Sequence, residues 1–400
     1  MLTAKKSKNS LTRLTLLLSA GFTVMSGAIV AASLPQVREV FAEVNHVELL
    51  SRLLLTLHAI FIAVFSPLAG LIADKVGRKK LLIGSLILYG LAGSSVVGLD
   101  DLWAILGSRI GLGLAVAGLM TASTTLVADY YQGEERDRFL GWQAAVMSFG
   151  GVVFIGLGGW LADIHWRGPF LVYALTLLLI PLAQHSITDL QKPQSKKTVN
   201  KRLNRKLRLN LAGLYDPVLF GMSAFYLAPV QVPFLLVELD GATDSTSIGL
   251  SLAAMTLTGA ITSLLFERIK SKLNVSFLYA LAFSALGIGY IIIGFAEIYA
   301  VVTVGLLISG IGVGLIMPIT NSLVMSLIRG AFRGRAMGWI STFVYGGQFL
   351  SPILSQPVIR TFSISWSFSL TGWTVLMLGL GFLIYAVLPT ASLLNDKEPL

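Results

Sequence analysis

Side chains that could act as acids, bases or nucleophiles are few in this chain of 400 residues, and they are widely separated. The four histidines stand at positions 46, 58, 165 and 185, and there is no cysteine. Catalysis and metal binding need several such groups at a suitable spacing, and no motif here provides that spacing. A phosphate-binding loop ending in Gly-Lys-Ser/Thr is also missing. The sequence therefore argues against an enzyme and against an ATP-driven pump, and it predicts neither a cofactor nor a metal.

Arg109 and His58 are the ionisable groups that stand deep inside long apolar segments. An exposed charge in hydrocarbon is costly, so Arg109 must face protein or a water-filled cavity. We interpret it as a group that binds a substrate anion or controls a proton site; the alternative is a structural donor to backbone carbonyls. No carboxylate falls in the middle of an apolar segment, so His58 is the only candidate there for a proton carrier near neutral pH. A packed histidine without that role is the alternative.

The apolar segments that hold these two groups dominate the composition. Hydrophobic residues make up 55% of the chain and charged residues 12%, whereas soluble domains carry about 25% charged residues. The mean hydropathy is +0.78, so the polar side chains could not cover a water-facing surface. We therefore predict an all-α integral membrane protein, and we exclude a nucleic-acid partner despite the net charge of +10.

Twelve apolar runs are long enough to be membrane spans, because a helix needs about 20 residues to cross a hydrocarbon core roughly 30 Å thick. Most of them are hydrophobic on all sides, which does not fit the alternation of a β-barrel. Their predicted bounds are 14–37, 50–73, 81–99, 102–128, 138–162, 168–187, 211–236, 246–266, 275–295, 298–327, 336–358 and 367–388.

The distribution of Lys and Arg predicts the orientation of these spans. With both termini in the cytoplasm, 25 of the 30 basic residues lie on the cytoplasmic side and four lie outside. Eight basic residues fall in 188–210, which we interpret as a linker between two halves; contact with anionic lipid headgroups is a further interpretation of this segment. We expect a multi-pass protein of the plasma (inner) membrane with both termini inside.

The two halves, residues 1–187 and 211–400, repeat each other in sequence. Gly141-Trp142 and Gly338-Trp339 are each followed by a glycine nine residues after the first glycine, and Glu267 stands 193 residues after Asp74 in a corresponding loop. Duplicated six-helix halves are the plan of one large transporter fold. Close helix packing is expected at Gly141, Gly150, Gly158, Gly159, Gly338, Gly347 and Pro352.

The loop between the second and third spans carries a spaced motif formed by Gly70, Asp74, Lys75, Gly77, Arg78 and Lys79. It resembles the signature loop of the major facilitator superfamily, and Arg109 with its following glycines is similar to a second motif of that family. The resemblance covers nearly the whole chain and implies twelve helices in two pseudo-symmetric six-helix bundles. It further implies that Asp74, Arg78 and Asp129 latch the halves in an outward-open state; a loop-shaping cluster without a switching role is the alternative.

Within that family the chain resembles the twelve-span drug-efflux group of drug:proton antiporters, with one departure. Those antiporters carry Gly-x8-Gly-x3-Gly-Pro-x2-Gly-Gly on the fifth span. Here Phe154 and Ile155 replace the Gly-Pro pair, while a proline stands at Pro352 in the repeated segment. The resemblance implies efflux, and the departure leaves the assignment to this group open.

Neutral hydrogen-bonding side chains are the expected lining of a substrate cavity: Ser26, Thr121, Thr124, Gln143, Tyr226, Gln231, Asn321, Tyr345 and Gln348. Such groups suit an amphipathic, uncharged or weakly anionic solute, although each could instead join two helices. We predict a monomeric secondary transporter that works by alternating access, exports small amphipathic or drug-like molecules and uses proton coupling. An uptake carrier or facilitator for a small polar metabolite is the alternative, followed by a membrane enzyme or a receptor.

Overall fold

The computed structural model describes residues 10–188, 205–240, 244–327 and 333–387. These residues are almost entirely helical, and they include no β-strand. The predicted all-α fold is confirmed. Most of the predicted basic linker, at positions 189–204, lies outside the described residues.

The chain forms two compact units, residues 1–194 with 244–250 and residues 195–243 with 251–400. The helices of the first half are α1 (Ser10–Ala28), α2 (Leu34–Val40), α3 (Val47–Val76), α4 (Arg78–Ser94), α5 (Leu102–Tyr130), α6 (Gly133–Ile164), α7 (Gly168–Leu171) and α8 (Leu175–Ser186). Those of the second half are α9 (Arg205–Asp240), α10 (Ser245–Lys270), α11 (Val275–Gly294), α12 (Tyr299–Leu327), α13 (Arg333–Thr361) and α14 (Ile364–Val387).

Eleven helical segments among the described residues are long and apolar enough to cross a membrane. They correspond to eleven of the twelve predicted spans. The remaining predicted span, 336–358, falls within α13, a helix of 29 residues that contains two prolines. Membrane-spanning helices therefore account for nearly all of the described chain.

The first predicted span, 14–37, is one span but not one continuous helix. Helix α1 ends at Ala28, a 3-10 turn covers Ala31–Ser33, and α2 begins at Leu34. Pro35 lies in the first turn of α2, where its missing N–H costs nothing because that position has no intrahelical acceptor. The proline thus explains why the helix restarts there.

A turn at Gly77 and a side-chain cap at Asp101 define two of the helix boundaries of the first unit. Gly77 separates α3 from α4 with a φ of 100°, a conformation that favours glycine. Asp101 caps α5, since its Oδ2 accepts a hydrogen bond from the Ala104 backbone N at 2.8 Å. The turn at Gly77 makes Arg78 the first residue of α4 and so positions it beside the end of α5.

Glycines allow close approach of neighbouring helices within each unit. A Cβ at Gly113 of α5 would lie 2.5 Å from the carbonyl oxygen of His58 on α3, and a Cβ at Gly118 would collide with Ser85 of α4. In the second unit, a Cβ at Gly287 of α11 would lie 2.7 Å from the carbonyl oxygen of Gly372 on α14. Side chains larger than hydrogen at these positions would push the helices apart.

The glycines selected from the sequence differ in their surroundings. A Cβ at Gly158 or Gly159 would collide with the backbone of a neighbouring segment, and a Cβ at Gly347 would lie 2.5 Å from the Leu219 carbonyl oxygen. At Gly150 the added atom would make ordinary contacts, the nearest at 3.5 Å. At Gly141 and Gly338 it would meet nothing within 4 Å, so helix packing does not require glycine at these two positions.

Candidate functional site

Arg109 is completely buried in the first unit. Its Nη2 donates to the carbonyl oxygens of Gly93 at 3.3 Å and of Ala92 at 3.4 Å, both on α4. Its guanidinium lies 5.3 Å from the ring centroid of Phe170 and 5.6 Å from that of Tyr173. Backbone carbonyls and aromatic faces therefore compensate part of the cost of burying this charge.

A buried polar cluster of Ser26, His58, Arg109 and Tyr173 surrounds this charge. His58 is 1% exposed, and its Nε2 lies 3.3 Å from the Ser26 Oγ on α1. The hydroxyl of Tyr173 donates to the Ser26 carbonyl oxygen at 2.8 Å. His58 and Tyr173 both interact electrostatically with Arg109. The structure thus brings together His58 and Arg109, which are 51 positions apart in the sequence.

Two atoms of the buried polar cluster, His58 Nδ1 and Arg109 Nη1, have no hydrogen-bond partner among the described residues. Buried polar atoms without a partner are uncommon in proteins. The structural alternative for Arg109 explains Nη2, which donates to carbonyls, but it does not explain Nη1. The cluster therefore has free capacity for a water molecule, a proton or a polar group of a ligand.

An apolar groove of about 470 Å³ runs between α1 and α6. Leu18 and Phe22 line it from α1, and Phe149 and Val153 line it from α6. Phe149 is 67% exposed, so its ring is open to the groove or to its surroundings. None of the residues of the buried polar cluster lines this α1–α6 groove, but Ser26 follows Phe22 by four residues, so the cluster begins about one helical turn along α1 from the groove.

The signature loop joins α3 to α4 and contacts two other helices of the first unit. Arg78 forms an ion pair with Asp129 at the end of α5, whose side chain is only 2% exposed. Lys79 Nζ donates to the Gln184 carbonyl oxygen of α8 at 2.5 Å. Asp74 is exposed and makes no hydrogen bond or ion pair with the described residues. The structure thus brings Arg78 to Asp129 but does not bring Asp74 to either, and the switching role stays a prediction.

The predicted cavity residues of the first unit differ in exposure and contacts, and their place in a substrate cavity stays a prediction. Gln143 is 8% exposed, and its Nε2 lies 3.2 Å from Ser123 Oγ on α5 and 3.4 Å from the Leu16 carbonyl oxygen on α1. Thr121 is half-buried, whereas Thr124 is exposed and bonds to its own helix backbone. Ser26 alone of these belongs to the buried polar cluster.

The second unit holds its predicted cavity residues on α9, α12 and α13. Gln231 Nε2 donates to Ser355 Oγ at 3.0 Å, and Gln348 is 1% exposed. Tyr226 and Tyr345 are half-buried and interact with each other electrostatically. Asn321 Oδ1 lacks a hydrogen-bond partner among the described residues.

Tyr89 and Tyr173 of the first unit are not among the site residues predicted from the sequence. Tyr173 contacts Arg109, and Tyr89 donates from α4 to the Phe22 carbonyl oxygen on α1 at 2.6 Å. The rings of Tyr89 and Tyr173 meet edge to face, with centroids 5.7 Å apart. A signal was present, since Tyr89 has a counterpart, Tyr290, in the second half of the repeat.

The sequence matches known proteins over most of its length. It is 25% identical to the quinolone resistance protein NorA of Staphylococcus aureus (strain COL) over 316 residues, which cover 76% of this chain and 79% of that protein. It is also 25% identical to the class G tetracycline resistance protein of Vibrio anguillarum over 352 residues, 84% of this chain and 85% of that protein.

Solved structures of transporters share the fold. The crystal structure of a D-xylose–proton symporter matches with a TM-score of 0.76 at 15% identity, over 98% of this chain and 100% of the other. A bacterial homologue of the human lysosomal transporter Spinster, in an inward-facing and occupied conformation, matches with a TM-score of 0.73 at 14% identity, over 97% and 96% of the two chains.

A sequence model of one protein family matches twice. The model of the Major Facilitator Superfamily covers residues 16–352 in one match and residues 217–399 in another. The first match alone extends over more than half of the chain, and it includes the signature loop and Arg109. The chain belongs to the major facilitator superfamily, whose members are membrane transporters and not enzymes.

Proposed function

We propose that this protein is a secondary active exporter of small amphipathic molecules, built from two six-helix halves (1–187 and 211–400) and a basic linker (188–210). The two relatives described above are named for resistance to quinolones and tetracyclines. Both compound classes combine apolar rings with polar groups. They are therefore amphipathic solutes of the kind that the neutral hydrogen-bonding side chains of the expected cavity predict. Export accounts for resistance in the simplest way.

The observation that carries this proposal is the position of the α1–α6 groove beside the buried polar cluster. Rings of an amphipathic solute fit against Phe22 and Phe149, while its polar end reaches toward Ser26. A groove of about 470 Å³ is within the size range of small-molecule sites. The unpartnered Nη1 of Arg109 suits a neutral or weakly anionic group rather than a cation.

Proton coupling is the proposed energy source, with His58 as the carrier. No carboxylate of the sequence falls in the middle of a span, so histidine is the remaining candidate. Its unpartnered Nδ1 can accept a proton without breaking an existing hydrogen bond. Arg109 and a protonated His58 interact electrostatically and would repel each other. They would repel a positive solute in the same way, so binding of a proton and binding of such a solute would compete.

The substrate proposal is tested with purified protein in liposomes under an imposed pH gradient, with a quinolone and a tetracycline as probes. Gly150→Leu places a side chain in the α1–α6 groove while its Cβ makes only ordinary contacts. The leucine would exclude an apolar group of the solute from the groove, and losing the burial of one such group costs about 1.5–3 kcal/mol. We therefore expect transport to fall at least about tenfold. Gly156→Leu is the matched control, since an added Cβ there meets nothing within 4 Å and the residue is outside the groove.

Two results would count against export of amphipathic solutes. Equal transport by Gly150→Leu and Gly156→Leu would remove the groove from the substrate path. Transport of D-xylose but of neither drug probe would favour the alternative, an uptake carrier for polar metabolites. The similarity of fold to a sugar symporter does not by itself indicate that activity.

Both termini are proposed to lie in the cytoplasm. The chain has no cysteine, so single cysteines report sidedness without background. A membrane-impermeant maleimide should label Asp100→Cys in intact cells. It should label Lys272→Cys only after the cells have been lysed. The reverse pattern would invert the orientation and with it the direction of transport inferred here.

A further inference from the structure

A second groove, of about 330 Å³, lies between α3 and α4 and is separate from the α1–α6 groove. Phe65, Ala69 and Ile72 line one wall from α3, and Gly84 lies on the opposite wall. Helices α3 and α4 each pack against α5 more extensively than against each other, so α5 forms the floor, with Leu114 among its residues. We call it the α3–α4 groove.

The exposed face of α4 has the composition of a surface in contact with lipid. Lys80, Gly84, Leu88 and Leu91 recur at spacings of three and four residues, and all four are exposed. After the lysine this face is entirely apolar, which suits hydrocarbon and not water. A groove that opens on such a face in a membrane will be filled by apolar chains.

The dimensions and the charge of the α3–α4 groove define its occupant. From Phe65 to Val76 the wall rises by eleven residue steps, about 16 Å at a helical rise of 1.5 Å per residue. That length matches one leaflet, which is half of a hydrocarbon core of about 30 Å. At the end of the groove stands Lys80, which makes no ion pair with any described residue.

We propose that the α3–α4 groove binds one acyl chain of an anionic phospholipid, with the phosphate of the headgroup paired to Lys80. The lining gives a free anion nothing to bind beyond the lysine and Ser85, whereas an acyl chain fills the apolar length below them. Lys79 does not line the groove, and its ammonium donates to the Gln184 carbonyl of α8 instead. The proposal requires a membrane-spanning fold but not the export of drugs.

The test uses photoreactive lipids in nanodiscs of phosphatidylcholine. Each probe carries a diazirine at mid-chain of one acyl group, on either a phosphatidylglycerol or a phosphatidylcholine headgroup. Trypsin cuts after Lys80 and Arg109, so the α4 wall is recovered as one peptide, residues 81–109, and mass spectrometry locates the label. One lysine near a lipid surface favours an anionic lipid about fivefold, and we expect that preference for label around Gly84 and Leu88.

Two variants separate the chain from the headgroup. Gly84→Leu should remove most label from the α3–α4 groove, because its Cβ meets nothing within 4 Å and its side chain fills the space. Lys80→Gln should keep the label but abolish the preference for phosphatidylglycerol. Gly107→Leu, another open glycine in the same peptide, and Lys272→Gln, an exposed lysine outside the groove, should behave as wild type.

The proposal is overturned if label is spread evenly over the exposed apolar surface, if the two headgroups label equally, or if Gly84→Leu changes nothing. None of these readouts involves a transport substrate. A failure here therefore leaves the proposed function intact, and a failure of drug transport leaves this lipid site intact.

Discussion

The two units place different chemistry at equivalent positions. In the first unit His58 and Arg109 are buried and interact electrostatically. Ser251 stands 193 residues after His58, and Thr303 stands 194 residues after Arg109. In the second unit these two hydroxyls lie 3.2 Å apart. On the second and fourth spans, positions related by nearly the same sequence offset thus hold a titratable pair in one unit and a neutral pair in the other.

The frame around the two pairs is the same. Tyr89 donates to the Phe22 carbonyl oxygen in the first unit, and Tyr290 donates to the Ala224 carbonyl oxygen in the second, both at 2.6 Å. Among the second-unit residues 215–239, 251–324 and 338–387, no Asp, Glu, Lys, Arg or His is buried. Helix packing is therefore duplicated between the units, whereas buried arginine and histidine side chains are found among the described side chains of the first unit only, so we expect coupling to depend on the first unit.

The largest effect is expected for Arg109→Lys. Lysine keeps the charge but loses the planar fork, in which Nε and Nη2 both donate to Ser108 Oγ while Nη2 also donates to the carbonyl oxygens of Ala92 and Gly93. Each hydrogen bond to a charged group contributes about 1.5–3 kcal/mol, so substrate transport should fall about 100-fold. Transport in liposomes at equal protein content measures the effect.

Thr303→Val is the matched change in the second unit, and it should stay close to wild type. If lysine at 109 is tolerated while Arg109→Ala is not, a point charge suffices. If Thr303→Val is as damaging as Arg109→Lys, the asymmetry between the units is not functional.

The signature loop extends the comparison to a second pair of positions. Asp129 is nearly buried in its ion pair with Arg78, whereas the pair formed by Glu267 and Lys270 in the repeated loop is exposed. Removing one partner of a buried pair costs about 3 kcal/mol or more. Asp129→Asn should therefore lower the unfolding temperature in detergent markedly, while Glu267→Gln should leave it unchanged. Equal melting of the two variants would show that burial of Asp129 adds nothing.

The sequence predicts the helices of this protein better than its polar contacts. Apolar length defines a span wherever the chain crosses hydrocarbon, and a loop motif as specific as Gly70 to Lys79 identifies the fold. The direction of a polar side chain is different, because it depends on helix rotation. Thr124 and Gln143 are both predicted cavity residues, and only the structure shows that the first is exposed and the second joins three helices.

Tyr173 illustrates what the sequence could not supply. It lies in a 3-10 turn between α7 and α8, in a segment predicted as one uniform span. Its contact with Arg109 arises only when the sixth span packs against α4 and α5. The counterpart in the second unit, Phe368, packs edge to face on Tyr290 but has no hydroxyl. A repeat comparison identifies the shared ring, and only the structure shows what the extra hydroxyl contacts.

A smaller effect is expected for His58→Gln, which keeps a hydrogen-bonding side chain but removes the titrating group. With one proton per cycle, a pH gradient of one unit supports about tenfold accumulation of substrate. We expect the variant to reach no accumulation while downhill exchange persists. Flux against the substrate gradient in liposomes measures this, with Ser251→Ala as the control in the second unit. Undiminished pH-driven accumulation in His58→Gln would exclude this histidine as the proton carrier.

The smallest effects are expected for two tyrosine variants, one in each unit, and the two effects should be equal. Tyr89→Phe and Tyr290→Phe each remove one hydroxyl that donates to a carbonyl of the first helix of its own unit. A neutral hydrogen bond contributes about 1 kcal/mol, and the acceptor carbonyl keeps its helical partner, so each variant should lose little stability. Because the frame is duplicated, the two losses should be equal, and neither variant should change the pH dependence of transport. Unfolding in detergent and pH-driven flux are the two measurements. A clearly larger loss of stability for Tyr89→Phe, or an altered pH dependence of transport, would assign Tyr89 to the buried polar cluster and not to the duplicated frame. Helix packing in the first unit would then depend in part on buried charge, which is not found among the described side chains of the second unit.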